Sequence, residues 1–310
     1  MNFSKFIIVL LLVILIYTII ILLSDVTIIL DNFRNIKLEY VVTGILAVFA
    51  GLFIRVIRWT LMLKTLNINI DLKSSILIYF SGSAFGLSPG RLGEVMKSHY
   101  LKRLVNAPIT KTAPTIIIER FLDVFAILII AVTSFLLIGT KHEIIWLGYV
   151  LIGVFLFFIY QKKYLVYLLE ALKNVSLLGK ISKKLIPSID IIYILLQPKI
   201  FAKTLSLSII SWSFESLVVY FTLRSFGIEL SIIKSAFIFV ISSLVGSLSF
   251  LPGGIGATEG GLLALFLLEG ISYDDSIGPV IIIRIIILLL TIIFGIIINR
   301  YTESTILKNK

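Results

Sequence analysis

The stretches Ser-Pro-Gly-Arg-Leu-Gly-Glu at 88–94 and Leu-Pro-Gly-Gly-Ile-Gly at 251–256 are two copies of one short pattern. Each copy follows an apolar stretch rich in small residues and precedes, after a second proline, an apolar span that carries an arginine. Pro89 lies 31 residues before Arg120, and Pro252 lies 32 residues before Arg284. Duplicated apolar segments interrupted by glycine and proline indicate a binding site at the middle of a membrane.

The composition places the chain in a membrane. Of its 310 residues 59% are hydrophobic, and the mean hydropathy is +1.10, which is too apolar for a soluble domain. The absence of cysteine and the presence of only two histidines exclude disulfides, thiolate chemistry and Cys/His zinc sites. We therefore expect neither a metal nor a cofactor. The net charge of +11 indicates basic cytoplasmic loops first and an anionic partner second.

The predicted fold is an all-α integral membrane protein with six full transmembrane helices and two re-entrant helical hairpins in an inverted repeat. The spans are expected at about 6–23, 40–62, 112–137, 144–160, 204–223 and 277–298. The first is interpreted as an uncleaved span. The apolar pieces 75–88 and 235–250 end at the two Pro-Gly patterns, and they predict hairpins at about 75–105 and 235–269.

Charge counting supports this topology. With both hairpins re-entrant, nineteen basic residues lie in inside segments and four in outside segments, which is a strong positive-inside bias. Both termini are then cytoplasmic in the cell membrane. Each half has the same order of elements, but the first half starts inside and the second starts outside. This arrangement suits a substrate that is reached alternately from two sides.

The domain prediction divides the chain into 1–160, which also holds the start of the second repeat, a linker at 161–203, and a second membrane half at 204–310. Six lysines of the linker alternate with apolar residues. An interfacial helix on anionic headgroups is favoured over a solvated linker. No nucleic-acid partner is expected, and a homo-oligomer is compatible with the chain.

Three charges lie within the third span: Glu119, Arg120 and Asp123. Each costs roughly 2.5–3.5 kcal/mol at a helix centre facing lipid, so we expect all three to face the protein interior. They either form a structural ion cluster or contact a substrate, and Asp123 could orient Arg120 for the second role.

Further charges stand alone in apolar sequence. Arg284 and Glu215 have no partner nearby in sequence, so each needs one across the fold, and a Glu215–Arg284 pair is one possibility. Arg55 and Arg58 lie near the cytoplasmic end of the second span, where snorkelling to the interface is the favoured explanation.

The two turns are predicted to contain Pro89, Gly90, Gly93, Pro252, Gly253, Gly254 and Gly256. Glu94 and Glu259 follow them at similar distances. A helix that starts after such a turn presents its N–H groups and positive dipole end to phosphate, and Arg91 would add a bidentate donor. A tight turn without function is the alternative, and the duplication favours function.

Catalytic patterns are absent from the sequence. The stretch 254–259 lacks the third glycine of a dinucleotide fingerprint, and no Walker-type phosphate loop is present. Neither His99 nor His142 can be assembled into a nucleophile–histidine–acid set. We therefore expect no enzymatic activity.

Three blocks carry a resemblance to a known family: 88–94, Glu119-Arg120-Phe-Leu-Asp123, and 251–260. In this order and spacing they resemble the lysylphosphatidylglycerol synthase transmembrane, or flippase-like, family over nearly the whole chain. The resemblance implies movement of a polar-headed lipid across the bilayer, and by motif it points to Arg91, Glu94, Glu119, Arg120, Asp123 and the 252–259 loop. The chain ends at Lys310 without an aminoacyl-transferase domain, so lipid aminoacylation is not expected.

The predicted function is a flippase for an anionic, aminoacylated or polyisoprenyl-phosphate-linked lipid. Its predicted substrate-binding residues are Arg91, Glu94, Glu119, Arg120, Asp123, Glu215, Glu259 and Arg284. The alternatives are a secondary transporter of a small water-soluble anion and a non-transporting partner of a lipid or glycan synthesis enzyme. A lipid-modifying enzyme is the least favoured.

Overall fold

The computed structural model describes residues 26–88, 93–139, 153, 167, 188–249 and 251–305. The predicted spans 6–23 and 144–160 and most of the predicted linker lie outside these residues, as do Pro89, Gly90 and Arg91 of the first turn. Every regular element within them is helical.

The described residues form eleven α-helices, and a short turn of 3₁₀ helix lies between the eighth and the ninth. They are α1 (Val26–Arg34), α2 (Leu38–Thr65), α3 (Leu72–Ser83), α4 (Met96–Val105), α5 (Ile109–Leu137), α6 (Ile189–Leu195), α7 (Pro198–Ser225), α8 (Ile232–Leu248), the 3₁₀ turn (Pro252–Gly254), α9 (Ala257–Leu268), α10 (Tyr273–Arg284) and α11 (Thr291–Thr305). A π-helical stretch, Ile285–Leu290, joins α10 to α11.

Three helices in the described part are long and apolar enough to cross a membrane: Leu38–Thr65, Pro198–Ser225 and Tyr273–Ser304. They contain the predicted spans 40–62, 204–223 and 277–298. The predicted span 112–137 lies within α5, which is 29 residues long and carries the three predicted charges. Helix α7 starts within the predicted linker because Pro198 occupies the first helical turn, where its missing N–H costs nothing.

Helices α2 and α7 form the antiparallel centre of the fold. A Cβ on Gly44, early in α2, would lie 3.6 Å from the Phe221 side chain, late in α7. Arg58, late in α2, bonds Ser208, early in α7. Where the helices cross, a Cβ on Gly51 would lie 2.8 Å from the Ser211 carbonyl oxygen, so only glycine permits this approach.

The ends of α2 and α7 repeat each other at a separation of 160 residues. Both helices are 28 residues long. Each ends through a left-handed residue, Asn67 with φ 55° and Gly227 with φ 75°. In each case the amide of the next residue donates to a carbonyl in the last helical turn at 2.9 Å, as in a Schellman cap.

The same separation relates the starts of α3 and α8. Asp71 caps α3 by accepting from the Ser74 amide, and Ser231 caps α8 by accepting from the Lys234 amide. Hydrogen bonds from Ser74 lower the pKa of the exposed Asp71 carboxyl below its ordinary value. Two unrelated side chains therefore perform one structural role at equivalent positions.

The later helices of each half correspond at a slightly larger separation. The left-handed residues Asn106 and Gly270, which follow α4 and α9, are 164 positions apart, and so are Arg120 and Arg284. The packing is crossed between the halves. Helix α3 of the first half packs against α11 of the second, and α8 of the second half, which is equivalent to α3, packs against α5 of the first.

The second turn connects α8 to α9, which pack against each other. Gly253, Gly254 and Gly256 all have positive φ, at 62°, 65° and 85°. A Cβ on Gly254 would lie 2.7 Å from Thr258 Oγ1. Helices α3 and α4 also pack together, and the Gly93 amide donates to Ser88 Oγ at 2.6 Å across the first turn.

Candidate functional site

A cavity of about 340 Å³ lies between the two halves and is called the large cavity. Four of the predicted residues line it: Arg120 and Asp123 from α5, Glu215 from α7 and Arg284 from α10. Gly253 and Gly254 of the second turn line it as well. Residues that are far apart in sequence and were predicted separately therefore meet at one space.

The walls of the large cavity are largely apolar, with contributions from Ile127, Phe239 and Leu262. Its lining also includes two apolar side chains that are well exposed, Val124 at 37% and Leu251 at 46%. The charged groups thus share one space with apolar surface that extends to the outside of the described fold. Such a surface suits contact with lipid.

Arg284 fixes the second turn. Its Nε donates to Glu259 Oε1 at 2.8 Å, and its Nη2 donates to the Gly253 carbonyl at 2.9 Å. The other carboxylate oxygen of Glu259 accepts from the Gly256 amide at 2.8 Å. Because both charged side chains are buried, the ion pair holds the turn against α10.

Glu215 forms an ion pair with Arg55 of α2. The distance from Arg55 Nη2 to Glu215 Oε1 is 2.8 Å, and both side chains are buried. Arg55 Nε also donates to Ser211 Oγ at 2.9 Å. The guanidinium lies 4.7 Å from the centre of the Trp212 ring, close enough for a cation–π contact.

A larger ion cluster lies on α5 and the helices around it. Arg58 Nη1 donates to Asp123 Oδ1 at 2.6 Å, and its Nη2 lies 3.7 Å from Glu119. The Trp212 indole also donates to Asp123 at 3.2 Å. Arg120 Nη2 lies 3.1 Å from Asp123 Oδ2, so Asp123 contacts both arginines.

Lys97 and Glu94 complete this cluster. Lys97 Nζ donates to Glu119 at 2.6 Å and to Glu94 at 3.1 Å. Glu94 lies 3.6 Å from Arg120. Lys97 is buried, with Nζ 4.6 Å from the centre of the Tyr79 ring. Three cations and three carboxylates balance one another, as burial of charge requires.

Hydrogen-bonding capacity remains at the cavity edge of the cluster. Arg120 Nε is a buried atom without a hydrogen-bond partner in the described structure, and Arg120 Nη2 and Asp123 Oδ2 face each other as an ion pair that lacks hydrogen-bond geometry. Arg120 is also the most exposed charge of the cluster, with 26% of its side chain accessible. Arg120 is therefore the member best placed to meet a ligand.

A second space, of about 40 Å³, is called the small cavity. Arg55, Tyr79, Ser83, Glu94 and Glu215 contribute to its lining. Glu215 lines both cavities. Within the described ranges, no three acidic or histidine side chains are placed to hold a metal ion.

The snorkelling prediction for Arg55 and Arg58 is wrong. Their residues are 2% and 0% exposed, because the faces that carry them meet the carboxylates of α7 and α5. Sequence reasoning also missed Lys97, although its place three residues after Glu94 was a signal. Gly82 makes room for it, since a Cβ there would lie 2.6 Å from Lys97 Cγ.

Comparison with known proteins gives consistent matches. The family model described as the lysylphosphatidylglycerol synthase TM region matches residues 7–295. A UPF0104 membrane protein of Methanocaldococcus jannaschii is 27% identical over 233 residues, which are 72% of this chain and 95% of the relative. One of Pyrococcus horikoshii is 26% identical over 287 residues, 82% of this chain and 86% of the relative.

A further relative, a UPF0104 membrane protein of Methanothermobacter thermautotrophicus, is 22% identical over 281 residues, 83% of each chain. The family match covers nearly the whole sequence and includes all three blocks that carry the ion pairs and turns. The chain therefore belongs to the lysylphosphatidylglycerol synthase transmembrane-region family of membrane proteins.

Proposed function

We propose that the protein moves a polar-headed lipid between the leaflets of the membrane without altering it chemically. One observation carries the proposal: Arg120 and Arg284, from the two halves, line one cavity whose lining also includes exposed apolar side chains. A lipid needs both surfaces, because its headgroup must be bound while its tails stay in hydrocarbon.

The phosphate of the headgroup is the group that the arginines would hold. A guanidinium has five N–H donors, and Arg284 gives two of them to Glu259 and the Gly253 carbonyl. Arg120 has buried donors without hydrogen-bond partners. Gly254 and Thr258 place the start of α9 at the same cavity, where the helix dipole favours an anion.

The acidic residues of the cavity would complete headgroup recognition. Asp123 and Glu215 line it together with the two arginines, so the cavity offers two cationic and two anionic groups. These carboxylates would balance charge or bind a cationic part of the headgroup. Two other members of the ion cluster, Glu119 and Lys97, are fully enclosed, which supports a structural role for them.

The proposed architecture is an inverted repeat of six spans and two re-entrant hairpins, with both termini cytoplasmic. Three features support the repeat: the antiparallel α2–α7 pair, the matched caps 160 residues apart and the crossed packing of α3 and α8. The shortness of α8 and α9, at 17 and 12 residues, supports a hairpin that enters and returns, because about 20 residues are needed to cross.

The test is to identify lipids that remain bound through mild-detergent purification by mass spectrometry. We expect selective retention of one phosphate-bearing lipid by the wild type and its loss in Arg284→Gln. Arg224→Gln is the matched control, because Arg224 lies on α7 in a surface pair with Glu229 at 2.9 Å. Transport is then followed in vesicles loaded with the retained lipid.

Arg284→Gln leaves Glu259 without its arginine, so a second variant separates binding from folding. Arg284→Gln combined with Glu259→Gln keeps the pair uncharged, and its fold is checked by thermal unfolding. A folded double variant that retains the same lipid as the wild type would contradict the proposal. Equal retention of bulk lipid by all variants, with no lipid selected, would also contradict the proposal. That result would favour a transporter of a water-soluble anion or a scaffold.

A further inference from the structure

Trp212 of α7 lies between the two groups of ion pairs and contacts both. Its indole N–H donates to Asp123 Oδ1 at 3.2 Å, and its ring centre lies 4.7 Å from the Arg55 guanidinium, which pairs with Glu215. Phe239 of α8 packs against the same ring, with the two ring centres 5.8 Å apart. Trp212 is buried and lines the large cavity. These contacts fix the position of the indole beside the headgroup site.

The two carboxylate oxygens of Asp123 are bonded differently. Oδ1 accepts from Arg58 Nη1, at 2.6 Å, and from the Trp212 indole. Oδ2 accepts no hydrogen bond within the described part of the chain, although Arg120 Nη2 lies 3.1 Å away. Two donors on one oxygen hold the carboxylate in one orientation, whereas a single donor would let it rotate about that bond. Asp123 therefore faces Arg120 with one oxygen only.

This orientation decides how much of Arg120 is left for a ligand. A carboxylate that turns both oxygens toward a guanidinium forms two parallel hydrogen bonds, which is the strong arrangement for these groups. Arg120 and Asp123 are three residues apart on α5 and are neighbours on its surface, so a rotation of Asp123 would bring this arrangement within reach. In the observed orientation Arg120 Nε has no hydrogen-bond partner among the described residues, and Arg120 lines the large cavity.

We infer that Trp212 is a positioning residue, which holds Asp123 by Oδ1 and so keeps the Arg120 guanidinium available to the phosphate of the headgroup. The identity of the ligand rests on the proposed function, but the hydrogen bonds that carry the inference do not. In this role Trp212 acts through Asp123 and Arg120 and needs no contact with the phosphate itself.

The variant that tests this role is Trp212→Phe, which keeps an aromatic ring beside Arg55 and removes the N–H donor. Trp59→Phe is the matched control, because Trp59 of α2 is a fully buried tryptophan that packs against Tyr79. Thermal unfolding shows whether each variant is folded. If Trp212→Phe does not fold, 3-benzothienylalanine at position 212 replaces the N–H by sulfur in a ring system of nearly the same shape.

The first measurement is binding of dioctanoyl phosphatidic acid, a short-chain lipid with a bare phosphate, by calorimetric titration of the full-length protein in detergent. We expect Trp212→Phe to weaken binding about tenfold or more, as the loss of one hydrogen bond to a charged group does. Trp59→Phe should bind as the wild type does. Equal affinities of the two folded variants would overturn the inference.

A double substitution shows whether Trp212 acts through Asp123. The neutral amide of Asp123→Asn cannot form an ion pair with Arg120, so Trp212→Phe should have no further effect on affinity in that background. The same loss of affinity in both backgrounds would also overturn the inference, because Trp212 would then act independently of Asp123.

The chemical reactivity of Arg120 separates this inference from the proposed function. Phenylglyoxal modifies accessible guanidinium groups, and peptide mass spectrometry measures its reaction at Arg120, which should be slower in Trp212→Phe than in Trp59→Phe. If it is slower but the wild type binds no phosphatidic acid and retains no lipid, the positioning role stands and the lipid substrate is wrong. If lipid is retained through Arg284 but Trp212→Phe changes neither reactivity nor affinity, the positioning role is wrong and the proposed function stands.

Discussion

Arg55 and Glu215 occupy equivalent positions of α2 and α7, 160 residues apart, and form an ion pair with each other at 2.8 Å. The two halves thus carry opposite charges at equivalent positions, and these two positions meet each other in the fold. The pair lies between the two cavities and at the crossing of the central helices. At this point the two halves differ in the sign of the charge that they carry, which is positive on α2 and negative on α7.

Exchange of this pair tests the symmetry of the site. Arg55→Glu and Glu215→Arg should each destabilise the protein by about 3–5 kcal/mol, because each leaves two like charges buried together. The double variant restores an ion pair in the reverse order and should recover most of the loss. Thermal unfolding of all four proteins in detergent gives the coupling energy. If the losses of stability from the two single substitutions simply add in the double variant, the two positions are not interchangeable.

Removal of the lysine from the ion cluster should be severe. Lys97→Met leaves Glu94 and Glu119 without the ammonium that they share, and we expect a loss of about 3–5 kcal/mol in the free energy of unfolding. Adding Glu119→Gln removes one uncompensated charge and should restore part of the loss. Arg34→Gln is the control, since the Arg34–Asp31 pair is largely exposed and contributes about 0–1 kcal/mol.

The glycines of the second turn should differ sharply from a glycine nearby. Gly254→Ala imposes a Cβ at φ 65°, 2.7 Å from Thr258 Oγ1, and should destabilise the protein by more than about 1 kcal/mol. Gly260→Ala adds a methyl group within α9 where nothing lies within 4 Å, and should be neutral or stabilising by up to about 1 kcal/mol. Thermal unfolding of both variants checks the prediction, which equal effects would contradict.

The cap of α3 predicts a pH dependence. Hydrogen bonds from Ser74 lower the pKa of the Asp71 carboxyl in the folded protein. The stabilisation by this cap is therefore complete above the pKa that Asp71 has in the unfolded chain, about 4. It is lost as the pH falls below that value and through the lower pKa of the folded protein. Asp71→Ala should cost about 1 kcal/mol at neutral pH.

The chain offers its own control for this cap. Asp71→Ser copies Ser231, which caps α8 in the same way, and should keep the cap while removing its share of the pH dependence. The free energy of unfolding, measured from neutral to acid pH, distinguishes the wild type, Asp71→Ala and Asp71→Ser. A pH profile of Asp71→Ser identical to that of the wild type would show that Asp71 does not titrate with folding.

Local chemistry made much of the site predictable. The sequence predicts a turn at the glycines 253, 254 and 256, and all three have positive φ in the structure. Arg120, Asp123, Glu215 and Arg284 were identified because charges in apolar sequence must turn inward, and all four reach one cavity. Both predictions depend on a residue and its immediate neighbours in the chain.

Pairing across the fold was not predictable in the same way. Arg284 takes its carboxylate from Glu259, 25 positions earlier, because the turn folds α9 back beside α10. Arg55 and Arg58 were assigned to the interface because hydropathy along one helix does not reveal which face another helix covers. The small cavity could not be foreseen either, since its lining combines residues that lie in both halves of the chain.

The crossed packing of α3 on α11 and α8 on α5 has a consequence for biosynthesis. On the ribosome, α3 emerges long before α11, and translation of both α7 and α8 separates them. Ser81 of α3 can therefore donate its hydroxyl to Thr302 of α11, at 3.0 Å, only after the second half has been made. Until then α3 lacks α11 as a packing partner, so the packing of the first half is completed only by the second.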